Sequence, residues 1–283
     1  MQQVWRKSAG QAQGKVLSPG PSAVYSVSSV VFPLVIAHRG ASAEKPENTL
    51  AAFRRALARG ADGLELDVRL TRDGVPVVFH DATLRRLTGA PGRLATRSWR
   101  ELKKLRVRGA GSIPRLADVL ALVRGRAVVQ IELKRGTTVA PVVRVIRRAR
   151  AAGWVILASF ETGLVRRARR LAPEIPRMLI AKGRSPDKLL RTMTALGAAG
   201  LSLHHHAVRN RALVTRIHRQ GGTVWCWTVN TAPAMRRLAA RGVDAILSDN
   251  PALLRRTVSF RIPAPVVRGR TFVDDHSPRF PMR

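Results

Sequence analysis

The chain has a single cysteine in 283 residues, Cys226, which excludes an internal disulfide and any zinc site built on several thiolates. Nothing in its cysteine usage calls for an oxidising compartment, and Cys226 reads as a small apolar filler of a buried strand. Long apolar runs are missing too. No stretch of 18 apolar residues occurs, so no membrane-spanning helix is expected. The run AVYSVSSVVFPLVIA has the look of a leader's apolar region, but it leads straight into His38, and cleavage near its end would destroy the first strand. A removable presequence would have to end before about Ser29, where no apolar core stands, and a cytoplasmic location is the expectation. Acids are scarce, 17 against 51 basic residues, which leaves a net charge of +34; of those 51 only 8 are lysine. Aromatic residues make up 5% and do not alternate with the arginines, so there is no stacking platform and no specific nucleic-acid partner is expected. A surface this positive attracts anions in general, and a weak electrostatic association with an anionic membrane is the form foreseen here. In VVRVIRRARAAG and GLVRRARRLA the arginines punctuate an apolar stripe, as on the outward face of a helix.

What the chain does have is enough apolar residue, 45%, to fill one large core, and no linker divides it. From Val35 onward strand-like and helix-like segments alternate. Strands are expected near 34–38, 62–67, 127–133, 154–159, 177–181, 200–204, 223–228 and 244–248, which is eight. The first helix should begin at Asn48 or Thr49, bury Leu50, Phe53 and Leu57, and stop at Gly60. Between Asp67 and Val75 there is no room for a parallel crossover, so VPVVFH should return as a hairpin partner through the turn Thr71-Arg72-Asp73-Gly74. Eight strand–helix units in this length give an α/β fold, a TIM (β/α)8 barrel with a small insertion, about 82–125, between the second and third barrel strands. Within the insertion Thr83 to Gly89 reads as a loop, Trp99 to Leu105 as a short helix, and Pro114-Arg115-Leu116 as the entrance to a helix ending near Val123. The domain is placed at 32–260, with an N-terminal extension over 1–31 and a mobile tail over 261–283.

The chemistry concentrates in residues 35–81. In GLELDV the side chains of Glu65 and Asp67 leave one face of a strand, and Leu64, Leu66 and Val68 leave the other. In VVQIELK the same spacing puts Gln130, Glu132 and Lys134 on one face. Two acids on the inner face of a buried strand need a positive partner, and a third converging acid suggests a hard cation with oxygen ligands, Mg²⁺ or Ca²⁺. His38 ends the first apolar run and His80 ends VPVVFH. The run His204-His205-His206 tempts a metal reading, but on a strand consecutive side chains alternate faces, so the three should not chelate together and receive no catalytic role.

Seven motifs, in order from 34 to 255, then resemble the glycerophosphodiester phosphodiesterase family: His38-Arg39-Gly40, Pro46-Glu47-Asn48-Thr49, Glu65-x-Asp67, His80-Asp81, Glu132-x-Lys134, Trp227-x-Val229-Asn230, and the closing run from Gly242 through Ser248-Asp249-Asn250-Pro251. The resemblance implies the same barrel, with the insertion at its mouth, and hydrolysis of glycerophosphodiesters to glycerol 3-phosphate and an alcohol. It implies that Glu65, Asp67 and Glu132 hold one divalent cation, that His38 and His80 are the acid and base in an order left open, and that Arg39 and Lys134 contact phosphate oxygens. Trp227 and Phe160 would line the pocket for the alcohol. The attacking oxygen is either water or the neighbouring glycerol hydroxyl. A lysophospholipase D type of activity at an anionic membrane is the alternative.

Overall fold

A computed structural model describes residues 33–258 except 108 and 184. The extension over 1–31 and the tail over 261–283 lie outside the described residues. The strands in chain order are β1 (Leu34–His38), β2 (Gly63–Leu70), β3 (Pro76–Val78), β4 (Arg106–Val107), β5 (Gly111–Ser112), β6 (Val128–Leu133), β7 (Val155–Ser159), β8 (Arg177–Ala181), β9 (Gly200–His204), β10 (Thr223–Trp227) and β11 (Ala245–Ser248). Eight of them are parallel and run in the order β1, β11, β10, β9, β8, β7, β6, β2, and β1 pairs with β2 to close the cylinder. Strand β3 is the antiparallel partner of β2, with Val68 opposite Val78, and stands outside the ring. The fold is therefore the (β/α)8 barrel that the alternation demanded.

Period-two alternation sorts the side chains. Ile36, Val128, Ile156, Ala158, Met178, Ile180, Trp225, Ala245 and Leu247 fill the interior. The alternate residues, such as Leu64, Leu66, Val129 and Ile131, pack outward against the helices. Inside, space is short. A Cβ on Gly200 would lie 2.3 Å from the Thr223 carbonyl oxygen, and one on Gly63 would lie 2.9 Å from that of Val128, so both positions require glycine. The helix Leu50–Ala58 starts where Thr49 Oγ1 accepts the Ala52 amide at 3.2 Å, and it buries Phe53 and Ala56. Burying one phenylalanine in this way contributes about 1.5–3 kcal/mol.

Three local differences from the sequence reading have plain causes. Strand β2 runs on to Leu70 because the hairpin gives its last residues a partner. Thr83 to Gly89 is not all loop: Arg85–Thr88 forms one helical turn, stopped by Gly89 at φ 76°. A two-residue antiparallel pair, β4 with β5, also stands in the insertion, too short to leave a periodic signal. The helix Leu116–Val123 begins where expected and packs between the helices Leu50–Ala58 and Val139–Arg148.

Candidate active site

Strand register builds the site at the carboxyl ends of the barrel strands. His38 stands beside Glu65 across β1 and β2, and Asp67 stands beside Glu132 across β2 and β6. One carboxylate oxygen from each of Glu65, Asp67 and Glu132 lies within 4.8 Å of the others, and all three residues are buried. The hairpin carries the chain back over this rim: the Phe79 amide donates to the Asp67 carbonyl at 2.9 Å, and His80 follows.

The acids do not titrate alike. Burial, and then the charge of Asp67, push the Glu65 carboxyl up to about 8. Burial would raise Asp67 too, but Lys134 and Arg39 outweigh it and hold Asp67 far below the usual carboxylate range. Glu132 is raised by burial and by Asp67. The Lys134 ammonium lies 2.9 Å from Asp67 Oδ1 and also pairs with Glu132; Arg39 Nε lies 3.2 Å from Asp67 Oδ2 and its Nη1 donates to Glu47 at 3.0 Å. The two cations expected at phosphate are thus ion-paired with the acids. Asp67 Oδ1 nevertheless has no aligned hydrogen bond although it is buried. Three buried carboxylates whose oxygens converge within 4.8 Å, an all-oxygen donor set, together fit a hard divalent cation, whose ligands sit at about 2.0–2.6 Å.

Each imidazole is held by its own carboxylate. His38 Nδ1 lies 2.7 Å from Asp249 Oδ1, and His80 Nδ1 lies 2.7 Å from Asp81 Oδ1. Asp249 is held down to about 2 and Asp81 is also lowered, in both cases because hydrogen bonds and cationic neighbours outweigh burial. An ionised carboxylate only accepts, so Nδ1 carries the proton in both rings and Nε2 is left to exchange one. His38 Nε2 lies 3.9 Å from Glu65 Oε2. Burial pulls the proton affinity of His38 down, but Asp249 and Glu65 more than offset it. For His80 burial prevails, against Asp67 and Asp81.

Several contributors were given no part in the site by the sequence, Asp249 and Asn48 although they stand in its motifs and Arg86 outside them. Asp249 accepts from Ser42 Oγ at 2.9 Å and from Asn230 Nδ2 at 2.6 Å as well as facing His38. Asn48 donates to Asp67 Oδ2 at 2.7 Å, while Thr49 supplies the helix cap. Arg86 joins Asp81 to Glu47. Both Arg39 and Asn48, at the two ends of the loop between β1 and the first helix, adopt left-handed backbone, at φ 57° and 58°, and both side chains reach Asp67. Beside His38 a cavity of about 440 Å³ opens, lined also by Arg39, Ser42, Glu47, Asn230 and Asp249.

On the far rim Trp227 meets Phe160 edge to face at 5.5 Å, and its indole N–H donates to the Ser202 carbonyl at 3.0 Å. Phe160 is 39% exposed, which is unusual for a residue of its size. The three consecutive histidines overturn the sequence reading. Strand geometry ends at His204, and His205–Ala207 is a 3₁₀ turn, so the rings do not alternate; their ligand nitrogens converge to within 4.8 Å.

Among the described residues no helix is long and apolar enough to cross a membrane. The model of the glycerophosphoryl diester phosphodiesterase family matches residues 38–253. A glycerophosphodiester phosphodiesterase from Caldanaerobacter subterraneus subsp. tengcongensis is 35% identical over 78% of the chain and 96% of its own length. A probable glycerophosphodiester phosphodiesterase 2 of Mycobacterium tuberculosis is 32% identical over 78% and 89%. Among solved structures, an Oleispira antarctica phosphodiesterase in complex with the product sn-glycerol-3-phosphate is 30% identical and superposes with a TM-score of 0.73 over 80% of this chain and 97% of that one.

Proposed function

The chain belongs to the glycerophosphoryl diester phosphodiesterase family, and from that premise we propose that it hydrolyses glycerophosphodiesters to glycerol 3-phosphate and an alcohol, with Glu65, Asp67 and Glu132 holding a divalent cation and His38 and His80 moving the protons. The observation that carries the reading is the convergence of three buried carboxylates on one rim that also bears two imidazoles, each fixed by its own carboxylate. A bound Mg²⁺ or Ca²⁺ would polarise the phosphoryl group. The chain's own residues do the rest. Nε2 of one imidazole takes the proton of the attacking oxygen, and Nε2 of the other gives one to the departing alcohol. Of the three donors on the Lys134 ammonium and the five on the Arg39 guanidinium, those not engaged by Asp67, Glu132 and Glu47 turn to the non-bridging oxygens as charge builds there. Phe160 and Trp227 flank the alcohol.

Release of glycerol 3-phosphate from glycerophosphocholine and glycerophosphoethanolamine is the test, run with several divalent ions and with chelator. Chelation should abolish turnover and added ion should restore it. His38→Ala and His80→Ala should each lower kcat by roughly 10²–10⁴. Turnover that ignores chelator and survives His38→Ala would sink the reading.

A further inference from the structure

We propose that His204, His205 and His206 form a second metal site, for a borderline transition ion of the Zn²⁺ or Cu²⁺ class, on the barrel rim opposite the carboxylates. Strand β9 is four places from β2 in either direction around the ring, so this cluster is separate from the acidic one. The ring centroids are 4.7 Å apart for His204 and His205, 5.2 Å for His204 and His206, and 4.1 Å for His205 and His206, with planes 28–35° from one another. One nitrogen from each ring lies within 4.8 Å of the other two. Small side-chain rotations bring such a set onto one ion at the imidazole–zinc distance of about 2.0–2.1 Å.

A second observation separates these rings from the rest. The other three histidines among the described residues, His38, His80 and His218, each face a carboxylate at 2.7–2.8 Å. None of the three clustered rings hydrogen-bonds a protein group among the described residues, and they are partly or fully open to solvent, so their nitrogens are available. Lys182 stands near His204 and Arg237 near His205. The same two cations weigh against a hard ion held by charge alone, while imidazole suits zinc and copper. The site also touches the pocket wall, since the His204 ring meets Trp227 edge to face at 5.1 Å.

Calorimetric titration of the full chain with Zn²⁺, in excess Mg²⁺, tests this. One equivalent should bind to wild type and to Glu65→Gln/Glu132→Gln, and none to the triple variant His204→Ala/His205→Ala/His206→Ala. The single variant His206→Ala, at the exposed ring, should weaken binding by about tenfold or more while leaving the circular dichroism unchanged, which guards against misfolding of the triple variant. Cu²⁺ should show nitrogen hyperfine structure in its electron paramagnetic resonance spectrum and quench tryptophan fluorescence, and both effects should vanish with the rings. Zinc binding that persists unchanged in both histidine variants, or that is lost in the carboxylate variant, overturns the proposal.

Discussion

Asp249 gathers hydrogen bonds from Ser42 Oγ and Asn230 Nδ2 and faces His38 Nδ1, so it sets both the tilt and the tautomer of that imidazole. In Asp249→Asn one of the two amide positions would turn a donor toward a donor, either Asn230 or the His38 and Ser42 pair. Steady-state kinetics should therefore show kcat falling by roughly 10²–10⁴ with KM changed much less, as for the orienting acid of a hydrolase triad; a loss below tenfold would make Asp249 a bystander. The same substitution has a signature in acid. The native carboxyl is lowered from 3.8 to about 2, so its contribution to stability is complete above pH 3.8 and disappears as pH falls toward about 2. The difference in melting temperature between wild type and variant should close over that interval. The acids were legible from sequence because spacing of two on a strand fixes their face. The grip of Asp249 on His38 was not, because 211 residues separate them and no local periodicity reports a contact at that range.

At the level of strands, two glycines stand where a neighbouring backbone leaves no room for a side chain. Gly200→Ala places a methyl 2.3 Å from the Thr223 carbonyl oxygen, part of the backbone of a neighbouring strand that cannot retreat without breaking its ladder. Thermal or urea unfolding should show a loss of about 1–3 kcal/mol or more, whereas Gly153→Ala, with open space around its Cβ and no left-handed backbone, should be near neutral. Strand existence and order were readable from alternation, and so was the hairpin, because the loop was too short for anything else. The histidine cluster was misread for a related reason. Alternation applies only while the chain is extended, and β9 passes into a 3₁₀ turn within one residue, at a point where His-His-His carries no turn-forming residue to announce it.

For the molecule as a whole, proton and metal binding should be linked to unfolding. Because folding lifts the Glu65 carboxyl from 4.5 to about 8, the ion-free native state keeps a proton that the unfolded chain has lost between those values, and its stability falls as pH rises through that window. A divalent ion needs the same carboxyl ionised, so the rise in melting temperature that Mg²⁺ or Ca²⁺ produces should be larger at pH 8 than at pH 5. A gain that does not vary with pH would place the ion elsewhere. The charge of +34 gives a separate expectation: the protein should co-sediment with vesicles rich in anionic lipid at low salt and be released at several hundred millimolar, since screening shortens the reach of surface charge to a few ångströms. Binding that survives high salt would require an apolar insertion instead.

Closure of the barrel brings the first strand against the last, with Leu34 to Ala37 paired to Ala245 to Ser248. During synthesis, then, the three converging acids and both imidazoles have been made once Lys134 leaves the ribosome, yet His38 lacks its anchor until residue 249 follows. The nascent chain should stay inert through most of its translation and gain activity only in its last stretch, and a premature stop just upstream of Asp249 should yield a polypeptide that holds all three acids and both imidazoles and hydrolyses nothing.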